Sequence, residues 1–354
     1  MMQVSLAAAR GPEVRLSTNK EYITILFGIW LIGGVFVDGF AHNHGVVETF
    51  FTPWHAILYS GFMASAIWMG WLLYRSKTQS GSTWREAVPV GYGLGLAGVF
   101  IFLLGGLGDM IWHTVFGIEQ NVSALLSPTH LVLLIGALLI LSSPFRAGWH
   151  HASLQKPTWS AFTPIFLSLV ATTGAVSFFL MYAWAFRYNL PASSSVDWYA
   201  VQFGDGGLIA ENNQLRGLSY ILIDTVVYMF PVFLLMKRWQ LPIGTMGLLF
   251  ALITVMMNVL DGFQNYPSIF IALGAGLIGD ILYRVLRVRE GRVSGERILA
   301  AVVPIALWSF YYAWMAISDG IGWETELWAG SIVEAALLSM GLQLLAAQKT
   351  PAKG

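Results

Sequence analysis

Asp38 and His42 stand four positions apart, and His55 follows after the run Thr52-Pro53-Trp54. The same order returns as Asp109 and His113, with His130 after Ser127-Pro128-Thr129. Residues four apart share one face of a helix, so each Asp-x3-His pair points the same way, and a His opening the next helix closes on it across a hairpin. Two imidazoles and a carboxylate suit Zn(II), Cu(II) or Fe(II), and three protein ligands leave coordination positions open for water, dioxygen or substrate. A lone Asp-x3-His is better explained by local hydrogen bonding in a wet interface. The return of the whole arrangement, with its Pro turn and closing His, shifts the reading to two metal-ligand sets, forming separate sites or converging into one: Asp38, His42 and His55, then Asp109, His113 and His130. His44 is a spare in the first. In the second, the loop before the closing His is longer, a change that costs little because closure entropy grows slowly with length.

The elements that carry these residues are apolar. The chain of 354 residues is 56% hydrophobic and 11% charged, with mean hydropathy +0.65, far from the roughly 25% charged of soluble domains. This composition predicts an all-α, polytopic integral membrane bundle. A charged side chain at membrane depth costs roughly 2.5–3.5 kcal/mol on insertion scales, so a cluster there asks for a compensating partner, and a metal ion is the simplest one. Net charge is zero and Lys and Arg gather at segment ends, which excludes the basic face of a nucleic-acid-binding protein. The absence of cysteine excludes disulfides, thiolate sites, iron–sulfur clusters and Cys nucleophiles. Arg10, Arg15 and Lys20 precede the first apolar segment without an apolar region of their own. No cleavable signal peptide is expected, and that segment serves as the signal anchor.

Apolar runs long enough for about 30 Å of hydrocarbon fall near residues 22–40, 54–74, 88–116, 129–143, 161–186, 218–236, 242–260, 267–284, 298–318 and 327–347, about ten spans. Arg75, Lys77, Arg85, Arg146, Lys156, Lys237, Arg238, Arg284, Arg287, Arg289, Arg292, Arg297, Lys349 and Lys353 join the N-terminal cations on one side, leaving Arg187 and Arg216 on the other. By the positive-inside rule both termini are cytoplasmic in a multi-pass cell-membrane protein, and both Asp/His sets lie at the extracytoplasmic ends of helices. Residues 187–217, with Asp197, Asp205 and Glu211, form the longest outer loop, a surface connection or a lid. Residues 1–160 make an N-terminal half with the two motifs, and residues 161–354 a second half without the histidines. Asp38-Gly39-Phe40 returns as Asp261-Gly262-Phe263 and more loosely as Asp319-Gly320-Ile321, which reads as a repeat of outer-facing hairpins.

Other polar groups carry plainer readings. His150 and His151 make a solvated pair, and Asp280 with Arg284 an interface salt bridge. Met110 packs beside the second set. Asp224 and Glu334 fall inside spans, and Asn258, Asp261, Asp319, Glu324 and Glu326 crowd outer helix ends. Such carboxylates mark ion or proton paths, unless Arg187 and Arg216 neutralise them.

Asp38-Gly-Phe-Ala-His42 followed by Phe51-Thr52-Pro53-Trp54-His55, with Tyr59 beyond, resembles the C subunit of particulate methane and ammonia monooxygenases. That family carries an Asp, a His four later and a second His after twelve more residues in a Phe-Thr-Pro-x-His context, as copper or zinc ligands. Asp109, Trp112, His113 and Ser127-Pro128-Thr129-His130 resemble it too. The family has a neighbouring copper position of Asn, His and His; if the second set stands there, Asp109 replaces the Asn and adds a negative charge. The resemblance spans about residues 30–140 and implies copper, with zinc or iron as alternatives, and an oxidative role. Nothing in the chain resembles the soluble copper domains of the partner B subunit, so a redox or copper-donating membrane partner is implied.

The leading expectation is a membrane copper oxidoreductase acting on a small apolar or gaseous substrate, with Trp54, Trp112 and Phe116 walling off water. A metal transporter or delivery protein would use the same ligands as a capture site, with Asp224, Asp261 and Glu334 along a path inward. A membrane zinc hydrolase would add Glu48 or Glu119 as base. A metal-stapled scaffold would have no turnover.

Overall fold

The computed structural model describes residues 13–45, 52–81, 83–117, 122–203, 208–288 and 293–347. Phe51, Glu48, Glu119, Asp205, Arg10, Arg289, Arg292, Lys349 and Lys353 lie outside them. Among the described residues all regular structure is helical: α1 (Thr18–Asn43), α2 (Pro53–Ser80), α3 (Gly93–Phe116), α4 (Val122–Leu126), α5 (Pro128–Leu141), α6 (Ser143–Trp149), α7 (Trp159–Phe179), α8 (Ala185–Tyr188), α9 (Ser193–Phe203), α10 (Leu208–Arg238), α11 (Thr245–Val259), α12 (Pro267–Val285), α13 (Val293–Ser318) and α14 (Thr325–Ala347), with one 3₁₀ turn at Met181–Ala183. Eight helices are long and apolar enough to cross a membrane: α1, α2, α3, α7, α10, α12, α13 and α14. The expected fourth span is α5 with α6, bent by 43°, and makes a ninth if the pair is one crossing. The expected seventh, α11, has 15 residues; at about 1.5 Å per residue it falls short of the hydrocarbon thickness. Among the described residues the structure thus supports eight or nine spans in place of about ten.

The chain divides into two compact units. The first comprises the described residues of Met1–Val35, Glu48–Ser153 and Ala161–Thr172; the second those of Phe36–Val47, Leu154–Ser160 and Thr173–Gly354.

In the first unit, α3 shows why a chain this rich in glycine forms helices that hold together. One face presents Gly95, Gly98, Phe102, Gly105, Gly106 and Asp109, all buried. A methyl group at Gly98 would lie 2.7 Å from Leu139 Cβ, and one at Gly136 of α5 would lie 2.7 Å from the Phe102 nitrogen. Small residues on both sides let the backbones approach, and dispersion at this range replaces the hydrophobic drive that lipid surroundings remove. The opposite face of α3 exposes Phe100, Leu104, Leu107, Ile111 and Val115. Their spacing of three and four makes one apolar stripe, so the helix is apolar all round, as a span requires. The bend between α5 and α6 follows from Pro144, which has no N–H and crowds the preceding turn. The backbone groups there find partners across the unit: Ser168 Oγ donates to Leu141 O (2.5 Å) and accepts from Phe145 N (3.1 Å), and Arg146 Nη2 donates to Leu139 O (2.7 Å). Exposed His150 and His151 match the expected solvated pair.

The second unit has an aromatic core. Phe186 stacks on Trp308 at 5.5 Å, Trp308 Nε1 donates to Thr225 Oγ1 (2.8 Å), and Tyr228 OH meets Thr254 Oγ1 (2.6 Å). Three sequence expectations change here. The salt bridge of Asp280 with Arg284 does not form among the described residues; Asp280 instead accepts N–H bonds from Met246 (3.3 Å) and Gly247 (3.0 Å). It caps the start of α11, whose own N-cap is Gly244 and has no side chain to do so. Residues 187–217 are largely helical, holding the end of α8, all of α9 and the start of α10. The Asp-Gly repeat does not share a backbone: Gly39 lies inside α1, whereas Gly262 and Gly320 turn with φ +64° and +87°.

Packing without free space at Gly136 sets a test. Gly136→Val should destabilise the protein by about 1–3 kcal/mol, the usual cost of overpacking. Gly70→Ala on α2, where a methyl group meets nothing within 4 Å, should be neutral or stabilising by up to about 1 kcal/mol through helix propensity. Thermal melts of the detergent-solubilised variants compare the two.

Candidate metal centre

All three residues of the second set belong to the first unit. Asp109 comes from the last two turns of α3, on the glycine face, and His113 stands one turn further on. His130 enters from α5, whose start is fixed by Ser127 as N-cap, accepting from His130 N (3.4 Å), and by Pro128. The close approach of α3 and α5 brings Thr129 to Gly108, where a methyl group would lie 3.5 Å from Thr129 Cγ2. A bulkier helix face would hold His130 away.

The carboxylate of Asp109 faces both imidazoles. His130 Nε2 lies 3.1 Å from Oδ1 and His113 Nε2 lies 3.5 Å from Oδ2. One ligand atom from each residue falls within 4.8 Å of the others. Ligands at 2.0–2.2 Å around a tetrahedral ion sit about 3.3–3.6 Å apart, so the trio is close to the size a transition-metal ion needs. The site is enclosed: the side chains of Asp109 and His113 are 4% and 8% exposed, and that of His130 is 21% exposed and forms the open side.

Neighbouring groups hold the donors in place. Thr129 Oγ1 donates to Asp109 Oδ1 at 2.9 Å, and the Ser127 hydroxyl lies 3.3 Å from Thr129 Oγ1. His113 Nδ1 lies 3.3 Å from the carbonyl of Gly117. A carbonyl only accepts, so this contact suits the Nδ1–H tautomer, the one in which Nε2 can bind a metal. Thr129 belongs to the second motif, and the motif alone assigns it no role. The signal was its position beside the closing His, which puts a hydroxyl on the same turn.

The first set is placed differently. Asp38 and His42 lie in the second unit, with His42 Nε2 3.9 Å from Asp38 Oδ2 and more of both side chains exposed. His55 lies in the first unit, buried, with Nδ1 3.2 Å from Thr52 Oγ1. In that unit α1 and α2 touch backbone to backbone where Gly61 meets Leu31. His44, the spare, turns away: its Nδ1 meets Phe40 O at 2.7 Å and its ring lies 4.0 Å from that of Phe40. Trp112 and Phe116 contact at 4.6 Å, but Phe116 is 69% exposed. It stands seven residues beyond Asp109, close to that face of α3 but at the exposed end of the helix.

The carboxylates of the second half divide. Asp224 is fully buried and accepts from Ala185 N (2.8 Å). Glu324, Glu326 and Glu334 are exposed, and Asp319 is exposed and bonded by Ser194. The arginines do not neutralise them: Arg216 donates to Tyr199 OH (2.9 Å) and Tyr220 OH (3.1 and 2.9 Å), and Arg187 lies over the Tyr188 ring.

The Thr129 hydroxyl is the supporting contact that can be removed with least disturbance. Thr129→Val keeps the shape and deletes the bond to Asp109. Metal affinity of the protein should fall about 10–100-fold, the usual effect of losing such support, with an unchanged helical circular dichroism spectrum; competition with a chelator of known affinity measures it. Comparisons with protein-family models, curated proteins and solved structures found no match to this chain.

Proposed function

We propose that the chain is an integral membrane metal protein whose Asp109, His113 and His130 hold copper, and that it works as an oxidoreductase of monooxygenase type on a small apolar or gaseous substrate. One observation carries this reading: a buried carboxylate in an apolar helix faces the Nε2 atoms of two histidines from two helices at 3.1 and 3.5 Å. Two nitrogens and an oxygen in an enclosed site suit copper, zinc or iron by donor type. The resemblance of the Asp-x3-His and Pro-x-His runs to the copper monooxygenases favours copper among them. Asp38, His42 and His55 carry the same donor types.

When bound, copper supplies one-electron chemistry and dioxygen activation, which no side chain here provides. The residues do the rest. Asp109 contributes the negative charge that offsets a cation's desolvation. With a metal on Nε2, the Nδ1–H of His113 has the carbonyl of Gly117 as its acceptor, and Thr129 bonds the carboxylate. The apolar stripe of Leu104, Leu107, Ile111 and Val115 gives a small apolar substrate a route to this end of α3 through lipid. The distribution of Lys and Arg favours an extracytoplasmic position for that end, with both termini in the cytoplasm. Electrons come from a membrane redox partner. The transport reading gains no comparable support, since Glu334 is exposed on α14 and Asp224 is enclosed by the aromatic core.

Copper loading tests the proposal. The purified protein in lipid discs should bind Cu(II) with a paramagnetic resonance spectrum split by two nitrogens. Asp109→Asn should lower the affinity by at least about tenfold, and His130→Ala should reduce the nitrogen splitting to that of one ligand. Reduced, copper-loaded protein should then consume dioxygen in the presence of a short hydrocarbon or ammonia. Zinc held in preference to copper without oxygen uptake overturns the oxidative reading, and metal retained in full by both variants overturns the site.

A further inference from the structure

A second polar cluster lies in the second unit, where α11 ends and α12 begins, and it contains no histidine. Asn258 is 2% exposed. Its Nδ2 donates to Thr254 O and to Ser268 Oγ, both at 2.9 Å. Ser268 Oγ in turn donates to Asn265 O (2.7 Å), and Asn265 Nδ2 donates to Asp261 Oδ2 (2.9 Å). Asn189 Nδ2 completes the set by donating to Asn265 Oδ1 (3.1 Å). The protons of the Asn258 amide and of the Ser268 hydroxyl are spent, and Asn258 Oδ1 and Asp261 Oδ1 are shut off from solvent and accept no hydrogen bond.

The spacing and the hydrogen bonds of these two residues bring them to one end of the helix. Asn258 and Asp261 are three residues apart where the chain is still helical through Leu260, so their side chains are neighbours on one face. Both are tied to the same short stretch, Asn265 to Ser268. The amide of Asn258 cannot be reversed to relieve its oxygen, because Thr254 O and the Ser268 hydroxyl, whose proton is committed to Asn265 O, would then both face an acceptor. Asp261 makes no ion pair among the described residues. It also sits at the C-terminal end of α11, where the helix presents carbonyl oxygens and negative potential. Carboxylate, amide oxygen and helix end therefore all call for positive charge, and they offer only oxygen ligands, the preference of hard cations.

We infer that Asp261 Oδ1 and Asn258 Oδ1 form a binding site for a small monovalent cation, with sodium as the fitting ion. One carboxylate balances one positive charge; a divalent ion would leave a charge uncompensated in an enclosed site. This site is distinct from Asp109, His113 and His130 in position, in donor type and in the class of ion.

Thermal melting of the full chain in detergent tests it, in NaCl against choline chloride at equal ionic strength. The wild type should melt a few degrees higher in sodium, with a shift that grows with concentration, as ligand linkage requires. Asp261→Asn, which keeps the shape and removes the charge, should lose that shift. Asn258→Asp adds a second carboxylate and should create a stabilisation by CaCl₂ that the wild type lacks. Equal melting of the wild type in both salts overturns the site and leaves the two oxygens to a water molecule, as does a sodium shift that persists in Asp261→Asn. Should Asp261→Asn fail to fold, the wild-type salt comparison and the Asn258→Asp calcium response decide, and absence of either overturns the site.

Discussion

The carboxylate of Asp109 is the group around which the first unit is arranged. It sits in a helix that is apolar on every other side, where an unpaired charge is costly. The surrounding residues answer that cost in a definite order. The glycines of α3 let α5 approach, the approach brings Thr129 and His130 within reach, and the i,i+4 spacing adds His113 from the same helix. Each step has a reason outside the site, since close helix contact is how any span gains stability in lipid. The site is the place where that contact meets a charge. An ion with two positive charges would turn the arrangement from tolerated to favourable, because the carboxylate would then be paired at short range in a low-dielectric setting.

The two Asp/His motifs share letters and differ in physics. Ser127 uses its hydroxyl to cap the start of α5, and its neighbour Thr129 supports the carboxylate. Thr52, at the corresponding turn, makes no cap bond, and its hydroxyl lies against the ring nitrogen of His55. Asp109 is almost wholly enclosed and its imidazoles lie at 3.1 and 3.5 Å; Asp38 is more open and His42 lies at 3.9 Å. The second motif is the better formed of the two, and the reason is the extra support from its own turn. A repeated sequence pattern thus supplies donors twice and positions them to different degrees.

Much of this was legible in the residues. Apolar runs located the helices because lipid leaves a chain no other use for them, and the Asp-x3-His spacing put each Asp and His on one face because helix geometry is fixed. The closing histidines were found through Pro128 and Pro53, which mark where a helix starts. What stayed hidden depended on neighbours distant in sequence. Asp280 and Arg284 have ideal spacing for an ion pair, yet Gly244 leaves the start of α11 without a cap and that vacancy takes the carboxylate. Asp38-Gly39 and Asp261-Gly262 look alike, yet the first continues a helix and the second ends one. The bend at Pro144 was visible as a proline, but that Ser168 and Arg146 would satisfy the freed backbone could not be read from spacing.

Helix α11 shows how the same residue type acquires opposite needs. Asp280 meets its first turn, where free N–H groups point outward, and two of them bond the carboxylate directly. Asp261 follows its last turn, where only carbonyls point outward, and its Oδ2 accepts a hydrogen bond from the amide of Asn265. Between these, Asp224 is enclosed by aromatic rings and takes a single N–H from Ala185. Position along a helix decides whether a buried carboxylate completes the fold or leaves something wanting: at the start the backbone supplies the protons, and at the end it cannot. A charge left facing carbonyls, beside an amide oxygen in the same condition, is satisfied only from outside the chain.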